Sequence, residues 1–308
     1  GVFVWILYDY KRNKVDRLWW LPVLMLLWGN LHAGFSIGFI ILGGFGLGEI
    51  INNLTGNDNP NVIDWRGVRK MVIVGVLMIV VLVINPYGFA MLRVPFETVS
   101  IGALRDFIQE WQSPNFQERQ TWPFIFMLIA LFGLLGVGAR RIDWTDLVLI
   151  SGTLFMALLY GRNISVFAVV ATPVITFHAA AYMERRGWLT NPIRRVTKRQ
   201  ARLNAGLVGV ILFGATISVL AVLDPELTDT AQRQFLPVDV AEFIEAEQPP
   251  QPMFNSYNWG GYLMWAVPEY PVYVDGRTDL YRDDFLERYL LAAFGRPQWR
   301  DLLPDDGI

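Results

Sequence analysis

The sequence predicts a mainly α-helical, polytopic membrane protein carrying a small extracytoplasmic α/β domain at its C-terminal end. Three observations lead there. Apolar residues make up 53% of the chain and fall in long blocks; charged residues, 18% of the chain, collect between those blocks; and after residue 223 the blocks stop while Pro, Asp and Glu become frequent. Long apolar blocks are the composition of a bilayer protein. A net charge of −2 over 308 residues is too small to imply a nucleic-acid partner. With no Cys, a disulfide framework and a thiolate metal site are both excluded.

A bilayer core of about 30 Å takes about 20 helical residues. Residues 1–8, GVFVWILY, are too short to cross and run into a charged stretch. They read as the tail of a helix that starts upstream, so the chain reads as a piece of a longer protein. Seven candidate spans follow: Leu18 to Trp28, Ala33 to Asn52, Met71 to Asn85, Pro123 to Ala139, Leu147 to Tyr160, Ile164 to Met183 and Ala205 to Leu223. The first is about 17 Å long at 1.5 Å per residue, so WGNLHAGF at 28–35 is either a tight turn between short spans or a broken helix. Such backbone is tolerated at membrane depth where protein or water satisfies it.

Alternating the spans places Lys11, Arg12, Lys14, Arg17, Arg66, Arg69, Lys70, Arg140, Arg141 and the basic run from 185 to 202 on one side. Only Arg93, Arg105, Arg119 and Arg162 fall opposite. The basic side is then cytoplasmic. The outer side receives NLHAG, the loop 86–122, the GRN turn at 161–163 and the tail. This divides the chain into a transmembrane domain, 1–223, and a soluble domain, 224–308. In the tail, VDVAEFIEAE at 238–247 has helical spacing with Asp239 as a cap. Pro252 to Tyr257 and Pro271 to Val274 read as strands, with Gly260-Gly261 and Asp275-Gly276 as turns.

The unusual polar residues all lie on the outer side. Asn30 and His32 either cap a tight turn or line a cavity, where an imidazole accepts or donates a proton or holds a phosphate oxygen. The spacings Gly34-x-x-x-Gly38 and Gly44-x-x-x-Gly48 read as close helix packing. In the outer loop, Phe96, Ile101, Leu104, Phe107, Ile108 and Trp111 recur at helical spacing, predicting an amphipathic helix on the membrane surface. Glu110 within it is either a solvated acid or a general base or metal ligand. Arg162 and Asn163 occupy a two-residue turn, where the guanidinium either snorkels to headgroups or clamps a lipid phosphate. In the tail, Tyr257, Trp259 and Tyr262 suit stacking on a sugar or peptide, and Asp275, Arg277 and Asp279 suit polar ligand groups; the alternative is a turn-rich core with an internal Arg and Asp pair. No phosphate loop, dinucleotide fingerprint, zinc spacing or nucleophile elbow is present in the sequence.

Taken together, LWGNLHAGF, NPYG, EWQSPNF, GRNISVFAVVATPV, FNSYNWGGYLMW and VYVDGRTDLY resemble a group of largely uncharacterised bacterial and archaeal polytopic membrane proteins. That group is similar to the C superfamily of glycosyltransferases, which move a sugar from a polyprenyl-phosphate carrier on the extracytoplasmic face. The resemblance implies a prokaryotic cytoplasmic membrane, a polyprenyl-phosphate-linked sugar as partner beside the lipid bilayer, and a divalent metal ion as the one cofactor to look for. It also places the catalytic acid in a first outer loop, upstream of this chain, and leaves His32, Glu110 and Arg162 as the carrier side of the site. The oligosaccharyltransferase motif WWDYG has its counterpart in YNWGGY, with Gly260 where that motif has Asp. The competing reading is a non-catalytic scaffold or accessory subunit of a cell-envelope complex. Transport ranks lower, because no span carries the acidic or basic residues that usually line an ion path.

Overall fold

A computed structural model of the chain describes residues 1–102, 108–138, 141–188, 197–222, 225–297 and 299–305. Among the described residues fourteen α-helices follow one another and about 75% of the structure is helical. They are α1 (Val2–Tyr8), α2 (Trp20–Leu31), α3 (Ser36–Leu54), α4 (Trp65–Leu82), α5 (Val94–Ser100), α6 (Trp122–Val137), α7 (Trp144–Leu159) and α8 (Ile164–Arg185). There follow α9 (Lys198–Val222), α10 (Pro225–Phe235), α11 (Val238–Glu247), α12 (Gly260–Ala266), α13 (Thr278–Ala293) and α14 (Trp299–Asp305). The chain divides into two compact units, Gly1–Thr190 and Asn191–Ile308, so α9 belongs with the tail.

Among the described residues the seven expected spans reduce to four helices long and apolar enough to cross a membrane: Ala33–Leu54, Arg119–Val137, Gly161–Arg185 and Lys198–Ala221. The physical reasons are length and charge. Helix α2 has 12 residues and α7 has 16, about 18 and 24 Å. Helix α4 has 18 residues but opens with Arg66, Arg69 and Lys70.

In the first unit α3 packs on α7 and α4, α2 on α4, and α8 on both α6 and α7. Met25, Phe45, Val74, Met78, Leu131 and Phe167 are fully buried between them. The α3 to α7 contact is close because Gly48 has no side chain: a Cβ there would overlap Thr145 Cα, while one at Gly46 would meet nothing within 4 Å. Asp64 caps α4 by accepting from Gly67 N at 2.9 Å, and Asp143 caps α7 by accepting from Asp146 N at 2.9 Å. Carboxylates suit both positions because the first amides of a helix lack intrahelical acceptors.

A buried polar cluster closes this end. Residues 9–13 form a π-helical turn after α1, and Lys11 from that turn is 1% exposed. Its ammonium pairs with Glu49 of α3 and with Asp143 at 3.1 Å, and reaches Thr145 Oγ1 at 3.3 Å. The second Glu49 oxygen accepts from Ile63 N at 2.8 Å. Beside it, Tyr8 donates to Asp146 Oδ1 at 2.6 Å, and Arg12 pairs with Asp146 at 3.3 Å while lying over the Tyr8 and Phe177 rings.

The second unit corrects the expected α/β domain: among the described residues there is no strand or sheet. The segments 252–257 and 271–274 lie side by side, but a side chain joins them. Asn255 Oδ1 accepts from Tyr273 N at 2.8 Å and Val274 N at 3.4 Å, and its Nδ2 donates to Val274 O at 2.7 Å. Pro252 and Pro271 bring no backbone donor, and one amide does the work of a partner strand. Phe254 and Tyr273 pack across the same seam, ring centroids 5.1 Å apart. The expected Gly260-Gly261 turn is instead the start of α12.

Gly48→Ala should lower the unfolding free energy by about 1–3 kcal/mol, the usual cost of overpacking, while Gly46→Ala should be neutral or slightly stabilising. Thermal unfolding of the two variants in one detergent checks this, and equal midpoints would show that α3 and α7 do not meet at Gly48.

Candidate functional site

Three interruptions of helix build the site in the first unit. After α2 the chain turns extended at His32, φ −159° and ψ 135°, then makes one 3-10 turn over Ala33–Phe35 before α3. Between α7 and α8, Tyr160 is extended and Gly161–Asn163 form a second 3-10 turn. Between α4 and α6, Gly88–Leu92 and α5 return toward both. These breaks enclose a cavity of about 790 Å³, lined by His32 to Ile37, Phe39, Ile40, Ile79, Leu82, Leu92, Pro95, Phe96, Thr98, Val99, Trp111, Met156, Tyr160, Arg162 and Asn163. Its size and mainly apolar walls with a few converging polar groups are those of a small-molecule site.

A few polar groups share this lining. His32 Nδ1 accepts from Gly34 N at 2.8 Å, so the neutral ring carries its proton on Nε2 and offers a donor. Asn163 is 8% exposed and gives Nδ2 to Met156 O at 3.3 Å. Arg162 lies 4.3 Å over the Trp111 ring and pairs with Glu110 at 3.4 Å. Trp111 meets Tyr160 edge-on, centroids 5.9 Å apart. Gly161 N donates to Gln112 O at 2.9 Å and Ser113 Oγ to Leu159 O at 3.3 Å, strapping 110–113 onto the Arg162 turn.

The expected surface helix through 96–111 is therefore corrected: α5 stops at Ser100, where Ile101 is extended, and 109–111 form one 3-10 turn against the cavity. Its middle, 103–107, lies outside the described residues. Glu110 touches Arg162 but does not line the cavity. Asn30 does not line it either. Its Nδ2 donates to Leu26 O at 2.9 Å and Ile84 O at 3.0 Å, tying the end of α2 to the end of α4.

In the second unit, Asp275 is 2% exposed and gathers donors: Arg277 N at 2.8 Å, Arg277 Nε at 2.9 Å and NH2 at 2.6 Å, and Tyr281 Oη at 2.8 Å. The Arg277 hydrogen bonds, ahead of the Tyr281 bond, hold its carboxyl down to about 2 despite burial. Tyr257 is spent inward, its hydroxyl 2.6 Å from Thr278 Oγ1 and its amide donating to Tyr289 Oη at 2.8 Å. Trp259 precedes α12 and Tyr262 lies within it, packed on Trp265 at 5.7 Å. A Cβ at Gly260 would overlap Val274 O and Asp275 Cα. Glycine there is a packing requirement, and the Asp of the oligosaccharyltransferase motif has no room. The Asp279 side chain lies outside the described residues.

Among the described residues no three His, Asp or Glu side chains converge as metal ligands, so the groups here do not fit a divalent ion held by protein alone. Sequence reasoning missed the buried cluster around Lys11 and Glu49. The signal was Glu49 itself, an acid within the candidate span Ala33 to Asn52. Glu49 is fully buried and bonded to Lys11, Thr145 and Ile63. Comparison with protein families, curated proteins and solved structures gives no match to this chain.

Asp275 titrates lower folded than its unfolded reference of about 3.9. Its contribution to stability is complete above pH 4 and falls as pH drops toward 2. Cleavage of the 254–281 segment by pepsin should rise over that window, and Asp275→Asn should flatten the rise. An unchanged pH profile in Asp275→Asn would show that another group controls it.

Proposed function

We propose that the first unit is the carrier-lipid side of a membrane glycosyltransferase-like protein, and that its cavity takes a polyprenyl-phosphate-linked sugar at the outer face of a prokaryotic cytoplasmic membrane. The observation that carries this reading is the amphiphilic make-up of the cavity: apolar residues of α3, α4 and α5 line it together with Arg162, Asn163 and His32, whose Nδ1 is taken by Gly34 N. Apolar walls suit a prenyl chain, and a guanidinium suits a phosphate better than any other side chain. The Arg162–Glu110 pair that a phosphate would displace is partly exposed, and such pairs contribute about 0–1 kcal/mol.

Orientation has its own support. Trp20, Trp65 and Trp144 begin α2, α4 and α7, and all three are exposed. Arg66 and Arg69 lie beside Trp65, and the far ends of α4 and α7 line the cavity. Tryptophans favour either interface and basic residues the cytoplasmic one, which supports an outward-facing cavity.

In such a transfer an acceptor atom bonds the anomeric carbon as the carbon–oxygen bond to phosphate breaks, and the electron pair leaves with the polyprenyl phosphate. Arg162 would balance the charge that develops there, and His32 Nε2–H would donate to a phosphate or sugar oxygen. The acceptor's proton needs a base. A second reading is a non-catalytic carrier-binding subunit, which the same lining would serve.

With the protein in nanodiscs, native mass spectrometry should show retention of a polyprenyl phosphate over the matching polyprenol. Arg162→Gln should weaken retention by at least about tenfold, the range for a hydrogen bond to a charged group, and His32→Ala by less. Equal retention of the polyprenol, or no effect of Arg162→Gln, would overturn the assignment. Binding without sugar transfer to any added acceptor would leave the second reading standing.

A further inference from the structure

The second unit holds a cation that the cavity in the first unit does not use. Arg277 is gripped on one edge: its Nε and NH2 lie 2.9 and 2.6 Å from the buried Asp275 carboxylate, and its own amide bonds the same group. Tyr281 Oη bonds Asp275 from another side at 2.8 Å, and α12 is pressed against the Val274–Asp275 backbone through Gly260. The carboxylate is 3% exposed, whereas the Arg277 side chain is 59% exposed. Among the described residues nothing bonds NH1. The outward surface therefore presents a guanidinium in a fixed orientation, its rotamer freedom already lost on folding, so a ligand meets a smaller entropic cost in using it.

What lies beside that edge is apolar. Arg277 NH2 also donates to Met264 Sδ at 3.6 Å, a weak acceptor that a phosphate oxygen can displace. Gly261, Met264, Trp265 and Pro268 fall at helical spacing on the outer face of α12 and its end, with Trp265 76% exposed, while Leu263 and Val267 point into the core. An oriented cation at the margin of an uncharged aromatic face complements a ligand with an anionic head and an apolar body.

We propose that Arg277 and the α12 face form a second binding site, for the phosphate group of an amphiphile. The phosphate bonds the open edge of Arg277 bidentately, and the adjoining chain covers Met264 and Trp265.

The test uses the full chain in a nonionic detergent, in an Arg162→Gln background so that the first-unit cavity does not report. Dodecyl phosphate, inorganic phosphate and dodecanol are titrated by isothermal calorimetry. Dodecyl phosphate should bind at least about tenfold more tightly than either of the others. Arg277→Gln should abolish that preference, and Arg277→Lys should restore only part of it because the fork is lost. Trp265→Ala, at a position too exposed to affect folding, should weaken dodecyl phosphate and leave inorganic phosphate unchanged. Equal binding of inorganic phosphate would mean a soluble anion site and overturn the amphiphile; equal binding of dodecanol, or undiminished binding in Arg277→Gln, would overturn the site.

Discussion

A buried ammonium is the constraint on which the first unit is built. Lys11 is fully enclosed, and a charge taken out of water costs several kcal/mol unless its partners are in place. The partners come from separate parts of the chain: Glu49 near the end of α3, and Asp143 and Thr145 at the start of α7. Glu49 in turn holds the backbone ahead of α4 through Ile63. Satisfying one charge thus fixes where α3, α4 and α7 meet. Removing either acid would leave an uncompensated charge, a loss of about 3–5 kcal/mol in comparable buried pairs.

That junction fixes the cavity at the other end of the same helices. Helices α3, α4 and α7 are rods of 19, 18 and 16 residues, so joining them at one end determines the spacing of the far ends. There the polar groups come from the breaks and not from the rods. His32 and Tyr160 are both extended; their own amides still complete the last helical turn, on Trp28 O and Met156 O, and the amide that follows Tyr160, Gly161 N, finds Gln112 O. Irregular backbone at membrane depth survives only with such partners.

The helices of the first unit were legible because apolar blocks of membrane length have few other destinations, and the breaks at 28–35 and 161–163 were legible because Asn, Gly and His interrupt them. His32, Arg162 and Asn163 do share one cavity. The number of spanning helices was misread because short apolar runs such as Trp20–Leu31 were credited with a crossing that their length does not support. The Lys11 cluster was missed because its members are far apart in sequence, and a lone Glu49 in an apolar run was not weighed against the Lys11 that neutralises it. Trp111 was assigned to the lipid interface by type, whereas its partner Arg162 lies 51 residues on. Periodicity carries no information about pairs at that separation.

The tail was misread for a different reason. Its two extended segments have strand-like composition, yet the Asn255 side chain bonds across them to Tyr273 and Val274. A ladder of repeated backbone bonds can slide by two residues and still keep its faces. The Asn255 clasp has no such alternative register, because the residues two positions away, Met253 and Tyr257, carry no side-chain amide to make the same set of bonds. One side chain therefore fixes the alignment that carries Asp275 beneath Arg277, and the two segments have a single way to be correct.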